Sequence, residues 1–194
     1  MTPELRTERL LLTPYSRADE ADFVALFQTA TVGRWFGDGM RTEQEDRAVF
    51  ARIFALVYAE ERFPVWAVRR AGRYVGHAEI KPSPEPWLDG HEIVYGLEPA
   101  HQRRGLGTEV ARALTAYGHQ TLGLPEVHAT VDAENAASLA LLKRLGYVHV
   151  RDVTEEDGRV TCLLTSRAAD PGRPAPEAGE EPGPDDREHV AKES

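Results

Sequence analysis

A glycine-bearing turn set between an apolar run and an amphipathic helix constrains this chain more than any other feature. Gln102-Arg103-Arg104-Gly105-Leu106-Gly107 follows the run at residues 92–97. It opens a segment with apolar positions Leu106, Val110, Ala113, Leu114 and Tyr117, the spacing of a helix over residues 106–121. Two glycines let backbone N–H groups approach an anion without a Cβ in the way, and the helix start adds unpaired N–H groups and a positive dipole end. The turn therefore reads as a pyrophosphate cradle, with Arg103 and Arg104 as cationic donors beside it. A dinucleotide fingerprint would need a third glycine where Val110 stands, and would come early in the chain. A Walker-type loop would need Gly-Lys-Ser/Thr, which the sequence lacks.

Around this turn, strand and helix signals alternate without an internal repeat. Arg9-Leu10-Leu11-Leu12-Thr13, ended by Pro14, predicts a first strand. Asp19 and Thr42 each precede a helical spacing, the first carried by Phe23, Leu26 and Phe27, the second by Val49, Phe50, Ile53, Phe54 and Val57. Val65-Trp66-Ala67-Val68 and the run from Tyr74 to Ile80 flank Ala71-Gly72-Arg73 as a hairpin, and Asp89-Gly90 leads into the strand at 92–97. Then follow a strand at 127–131, a helix at 136–145, a strand at 147–153 and a last strand beyond Asp157-Gly158. The expected class is α+β, a mixed sheet with helices packed against it.

A length of 194 residues suits one domain. Residues 168–194 contain no aromatic side chain, five prolines, and Val190 as their one large aliphatic residue. A folded domain over residues 1–167 and a disordered acidic Pro/Gly-rich tail over 168–194 are expected. The tail holds eight acidic and three basic side chains, so −5 of the formal charge of −9 belongs to it and −4 to the remainder. A negative chain is poorly suited to nonspecific nucleic-acid binding, which needs cations to displace counterions. No apolar run approaches the ~18–20 residues that cross a bilayer, and Met1 to Arg6 lack the basic-then-apolar order of a signal peptide. A cytoplasmic protein with no membrane or nucleic-acid partner is expected. The single cysteine, Cys162, sits among apolar neighbours and reads as a buried structural thiol; no metal site is expected.

With these residues in view, the chain resembles the GNAT superfamily of N-acetyltransferases, whose acetyl-CoA loop follows Gln/Arg-x-x-Gly-x-Gly/Ala, matched here by Gln102, Gly105 and Gly107. Thr7-Glu8-Arg9-Leu10-Leu11-Leu12, Glu92-Ile93-Val94-Tyr95, and Asn135-Ala136-Ala137-Ser138 leading to Leu145-Gly146-Tyr147 are similar to the branch of ribosomal-protein N-terminal (RimJ/RimL-like) acetyltransferases. The agreement covers residues 5–166. The resemblance implies a mostly antiparallel twisted sheet of about seven strands, flanked by about four helices. The sheet would splay between its fourth and fifth strands, with the acyl-pantetheine arm inserted there. It also implies direct transfer of an acetyl group from acetyl-CoA to a primary amine in a ternary complex, the acceptor being a protein N-terminus, another peptide amine or a small molecule. A homodimer is left open.

Aminolysis of a thioester needs an uncharged amine, a polarised carbonyl and a way to neutralise the leaving thiolate. The resemblance puts cofactor contacts on Ile93, Val94, Tyr95, Gly96 and Leu97, whose backbone N–H groups would meet the carbonyl, with Gly96 permitting a bulge. Further contacts fall on Gln102, Arg103, Arg104, Gly105, Leu106, Gly107 and Thr108, and on Asn135 and Ser138. Glu92, at the head of its strand, is the candidate base; Glu79 and His77 are alternatives that share one strand face. Asn135 also reads as a helix N-cap. Many relatives carry a tyrosine seven residues after this asparagine to protonate the thiolate. Leu142 stands at that position, so Ser138 is the implied partner of the leaving sulfur. Tyr147, behind a helix-ending Gly146, reads as core or cofactor packing, and Lys143 and Arg144 as nucleotide contacts or plain helix-end cations. Trp35, Phe36, Trp66 and Trp87 read as core or acceptor-pocket residues. A non-catalytic acyl-CoA sensor or interaction module on the same fold is the alternative function, with a nicotinamide-dependent enzyme a second.

Overall fold

The structure, a computed structural model, describes residues 2–37 and 39–168. The expected acidic tail lies outside the described residues from 169 onward. Eight strands share one sheet: β1 (Leu5–Arg6), β2 (Leu11–Thr13), β3 (Val65–Arg70), β4 (Arg73–Pro82), β5 (His91–Leu97), β6 (Glu126–Asp132), β7 (Val148–Thr154) and β8 (Val160–Arg167). Their order is β1-β2-β3-β4-β5-β6-β8-β7. The sheet has one strand more than expected because Leu5 and Arg6 fold back on Leu12 and Leu11 as a strand of their own. Every neighbouring pair is antiparallel except β5 and β6, which run parallel and register at the single pair Glu92 and His128. Beyond that pair the two strands part, so the expected splay is present.

Among the described residues five α-helices flank the sheet: α1 (Glu20–Gln28), α2 (Ala30–Gly33), α3 (Glu43–Arg52), α4 (Leu106–Gln120) and α5 (Ala136–Arg144). A wider π-helical turn, Ile53–Tyr58, extends α3. Thr42 starts α3 through a capping box: its hydroxyl accepts from the Glu45 N–H, and the Glu45 carboxylate accepts from the Thr42 N–H at 2.7 Å. Gly146, at φ 86°, ends α5 in the left-handed conformation that glycine adopts without a Cβ penalty.

The sheet separates two cores. On one face Leu106, Val110 and Leu114 of α4 pack on Ile80, Ile93, Val127 and Leu164; on the other, Phe23, Phe27 and Phe50 of α1 and α3 pack on Val65 and Ala67. Burying each such side chain contributes about 2 kcal/mol, so the α4 face alone anchors the turn that precedes it. Trp66 belongs to this core: it is fully buried, its Nε1 donates to the Pro3 carbonyl at 2.6 Å, and it meets Tyr117 edge-on. Strand β5 alternates between the two faces. Ile93, Tyr95 and Leu97 pack towards α4, while a Cβ on Gly96 would point at Phe36 and Val32 on the α1 side. Among the described residues no helix is long and apolar enough to cross a membrane.

Candidate active site

The splay between β5 and β6 opens into a cavity of about 1020 Å³. It joins the turn at the start of α4 and the start of α5 to a polar cluster on the α1 side of the sheet.

At one end lies the turn. Gly105 is the N-cap of α4 with φ 77°, and Arg103 takes φ 56°, so two successive left-handed bends fold the backbone tightly ahead of the helix. Gln102 ties the turn to the end of β5 by donating Nε2 to the Leu97 carbonyl at 2.9 Å. Gly107 is crowded from the other side: a Cβ there would lie 3.3 Å from Leu141 Cδ1 and 4.0 Å from Tyr95 Cε2. The first N–H groups of this fifteen-residue helix have no intrahelical acceptor, so donors are available at its start. Gln102, Arg103, Gly105, Gly107 and Thr108 line the cavity; Leu106 turns into the core, and Arg104 contributes its carbonyl elsewhere. That carbonyl accepts from Arg9 Nη1 at 2.9 Å, while Arg9 Nε donates to Glu109 Oε2 at 2.8 Å and its backbone N–H to Glu109 Oε1 at 2.7 Å. Thr7 Oγ1 also donates to Glu109. Burial alone would raise the Glu109 carboxyl, but these bonds hold it below its ordinary value. The amino-terminal segment thus braces the turn. Sequence reasoning noticed Thr7 to Leu12 without seeing this, because the contacts span about a hundred residues.

The start of α5 closes the same end. Asn135 Oδ1 accepts from the Ser138 N–H at 3.2 Å, so the expected N-cap is formed, and both residues line the cavity. Leu142 is buried in the core, and Tyr147 is buried with its hydroxyl 2.7 Å from Thr115 Oγ1. Arg144 lines the cavity; Lys143 does not.

At the other end sits Glu92. It is 3% exposed, and Thr130 Oγ1 at 2.8 Å and Ser83 Oγ at 3.2 Å both donate to Oε2. Among the described residues Oε1 carries no hydrogen bond. Burial raises the Glu92 carboxyl above its ordinary value, more than the Thr130 bond and the Lys81 charge lower it. Lys81, cross-strand from Glu92, donates Nζ to Glu79 Oε1 at 2.6 Å. Glu79 Oε2 lies 3.7 Å from His77 Nε2, and His77 Nδ1 lies 3.0 Å from the Tyr15 hydroxyl. Burial pushes Glu79 up, but His77 and Lys81 outweigh it and hold the carboxyl at about 2. His77 and Glu79 do share a face, as their spacing implied, but Glu79 is committed to its neighbours. Lys81 and Thr130 were missed; Lys81 lies at a two-residue step from Glu79, which was the available signal, whereas Thr130 meets Glu92 from another strand and left none.

Strands β4 and β5 pair in unbroken register from Gly76 and Leu97 to Pro82 and His91. The bulge expected at Gly96 is therefore absent from this pairing, and glycine serves a different purpose. A Cβ would come within 2.7 Å of the Phe36 ring, which stands over β5 with Trp35 as a wall of the cavity. Trp87 lies apart, under the Arg151 guanidinium.

Residues 9–148 match the family model described as an acetyltransferase (GNAT) domain. An N-acetyltransferase of Bacillus subtilis, YoaA, itself uncharacterised, is 30% identical over 153 residues, 76% of this chain and 84% of that protein. Among solved structures, Mycobacterium smegmatis RimJ in complex with CoA-disulfide superposes with a TM-score of 0.71 at 21% identity, over 86% of each chain. RimL, a ribosomal L7/L12 α-N-protein acetyltransferase solved with coenzyme A, gives 0.72 at 13% identity, over 85% of this chain and 98% of that one. The last two likenesses show a shared fold.

Proposed function

Because this chain belongs to the GNAT acetyltransferase family, we propose that it transfers the acetyl group of acetyl-CoA to a primary amine by direct attack. The observation that carries this is the single cavity linking the Gly105–Gly107 turn to the Glu92 carboxylate through the splayed sheet.

Bound acetyl-CoA supplies an activated acyl group as a thioester. The chain's own residues fit it: a tight turn where a Cβ on Gly107 would crowd Leu141, a helix start that offers N–H groups to a pyrophosphate, and a capped α5 whose Asn135 and Ser138 reach the same space. Backbone N–H groups of β5 along the splay, released from pairing beyond His128, are free to polarise a carbonyl. On the opposite face Glu92 accepts the proton of the attacking amine, directly or through water. Its burial raises its basicity towards neutral pH, and Thr130 fixes its orientation. Glu79 stays ionised beside Lys81, so the acceptor end combines both signs of charge and suits a polar amine, such as a peptide N-terminus or a small-molecule amine.

Calorimetric titration with CoA tests the binding half. The wild type is expected to bind, and Gly107→Val, whose branched side chain would fill the space against Leu141 and Tyr95, to lose binding while remaining folded. Equal affinity in both proteins would remove the turn from the site.

A further inference from the structure

The Tyr95 hydroxyl is buried and has no hydrogen-bond partner among the described residues. Leaving a buried hydroxyl unpaired is costly, so its presence calls for a group that completes it. Tyr95 lies on the α4 face of β5, beside Gly107, and lines the cavity together with Ser138. Burial pushes the phenol up to about 12, with the nearby Ser138 hydroxyl opposing, so it is protonated at neutral pH. Tyr147 is engaged with Thr115 and Leu142 has no proton to give, while the Ser138 hydroxyl stands beside Tyr95 on the same wall of the cavity.

We propose that Tyr95 delivers the proton to the departing sulfur, a role that rests on the acetyltransferase reading above. As the amine nitrogen bonds to the carbonyl carbon, the C–S bond breaks and its electron pair goes to sulfur, which takes the phenolic proton. The surplus proton on nitrogen passes to Glu92. Solvent then returns a proton to Tyr95 and removes one from Glu92, so the products are an amide and a thiol and the enzyme is unchanged. The acceptor and the donor of protons thus sit on opposite faces of one strand, Glu92 towards the amine and Tyr95 towards the sulfur, because strand side chains alternate.

The test compares wild type and Tyr95→Phe, each loaded with CoA, by following thiolate ultraviolet absorbance as pH rises. A phenol that donates to sulfur stabilises the bound thiolate, so in Tyr95→Phe the bound thiol is expected to ionise at higher pH than in wild type, with affinity for desulfo-CoA retained. Single-turnover acetyl transfer should fall about 10²-fold in the same variant. An unmoved thiol titration, or undiminished transfer, overturns the role of Tyr95 while the acetyltransferase reading stands. Wild-type protein that binds neither CoA nor desulfo-CoA overturns that reading and this one with it.

Discussion

Arg9 reaches across about a hundred residues of sequence to hold Glu109, with its Nε 2.8 Å from Oε2, while its Nη1 holds the Arg104 carbonyl at 2.9 Å. The first strand region and the first turn of α4 are thereby tied to the back of the Gly105 turn. The Arg9 side chain is 40% exposed, so the pair adds less than about 1 kcal/mol to stability. Its consequence lies in holding the turn in a binding-ready shape.

Arg9→Ala is therefore expected to weaken CoA binding about tenfold, a cost near 1.4 kcal/mol, with little change in the thermal midpoint. Calorimetry and a melt on the same sample check both halves. A large drop in stability with unchanged affinity would make Arg9 a structural residue only.

Glu92→Gln is expected to lower turnover about 10²- to 10⁴-fold while leaving CoA affinity intact. The carboxyl sits above its ordinary value because burial disfavours its charge. A group raised in the folded state contributes stability below its unfolded pKa and loses it as pH rises through the folded one. The variant, freed of a buried charge, should melt higher than wild type at neutral and alkaline pH. The wild-type rate should climb with pH along a limb above the ordinary 4.5 of a glutamate, and that limb should vanish in the variant.

Glu79 has the opposite sign. Held at about 2 instead of 4.5, it contributes stability that is present above 4.5 and lost as pH falls from there to about 2. The gap corresponds to about 3 kcal/mol at most. Melts between pH 6 and pH 3, probe values of roughly that range, should show a shallower acid loss in Glu79→Gln than in wild type. Parallel curves would mean that Lys81 and His77 leave Glu79 unperturbed.

Gly96→Ala separates the two ends of the cavity. Its Cβ would stand 2.7 Å from Phe36 Cζ and must displace that ring. Overpacking of this kind costs about 1–3 kcal/mol, and it falls on the acceptor wall. KM for the amine should rise while CoA affinity stays put. The reverse pattern would place Phe36 at the donor end.

Much of this was legible in sequence because it is periodic or local. The α4 and β5 patterns, the Gly105 turn, the Asn135 cap and the Gly146 helix end each follow from residues a few positions apart, and each is present. The extra strand Leu5–Arg6 was not, since two residues carry no period. The brace from Arg9 to Glu109, the Thr130 bond to Glu92 and the link from Tyr15 to His77 were hidden for another reason. Each joins separate elements, and a hydrogen bond leaves no spacing in the chain. The orphaned Tyr95 hydroxyl was hidden likewise: a tyrosine in a strand looks the same from sequence whether or not its oxygen finds a partner. At Gly96 the sequence suggested a bulge, whereas the β4–β5 register is unbroken there and the glycine meets Phe36, because bulge and close approach both select glycine.

The central claim is that one cavity brings an acyl-CoA turn and a buried carboxylate together for transfer to an amine. The direct test is mass spectrometry of a pool of peptides with free N-termini, polyamines and other primary amines, incubated with isotopically labelled acetyl-CoA and either wild type or Glu92→Gln. The expected result is labelled acetyl on one class of amine with wild type and its near absence with Glu92→Gln, although both proteins bind CoA. Binding of CoA with no labelled amine from either protein, or equal labelling by both, would contradict the claim.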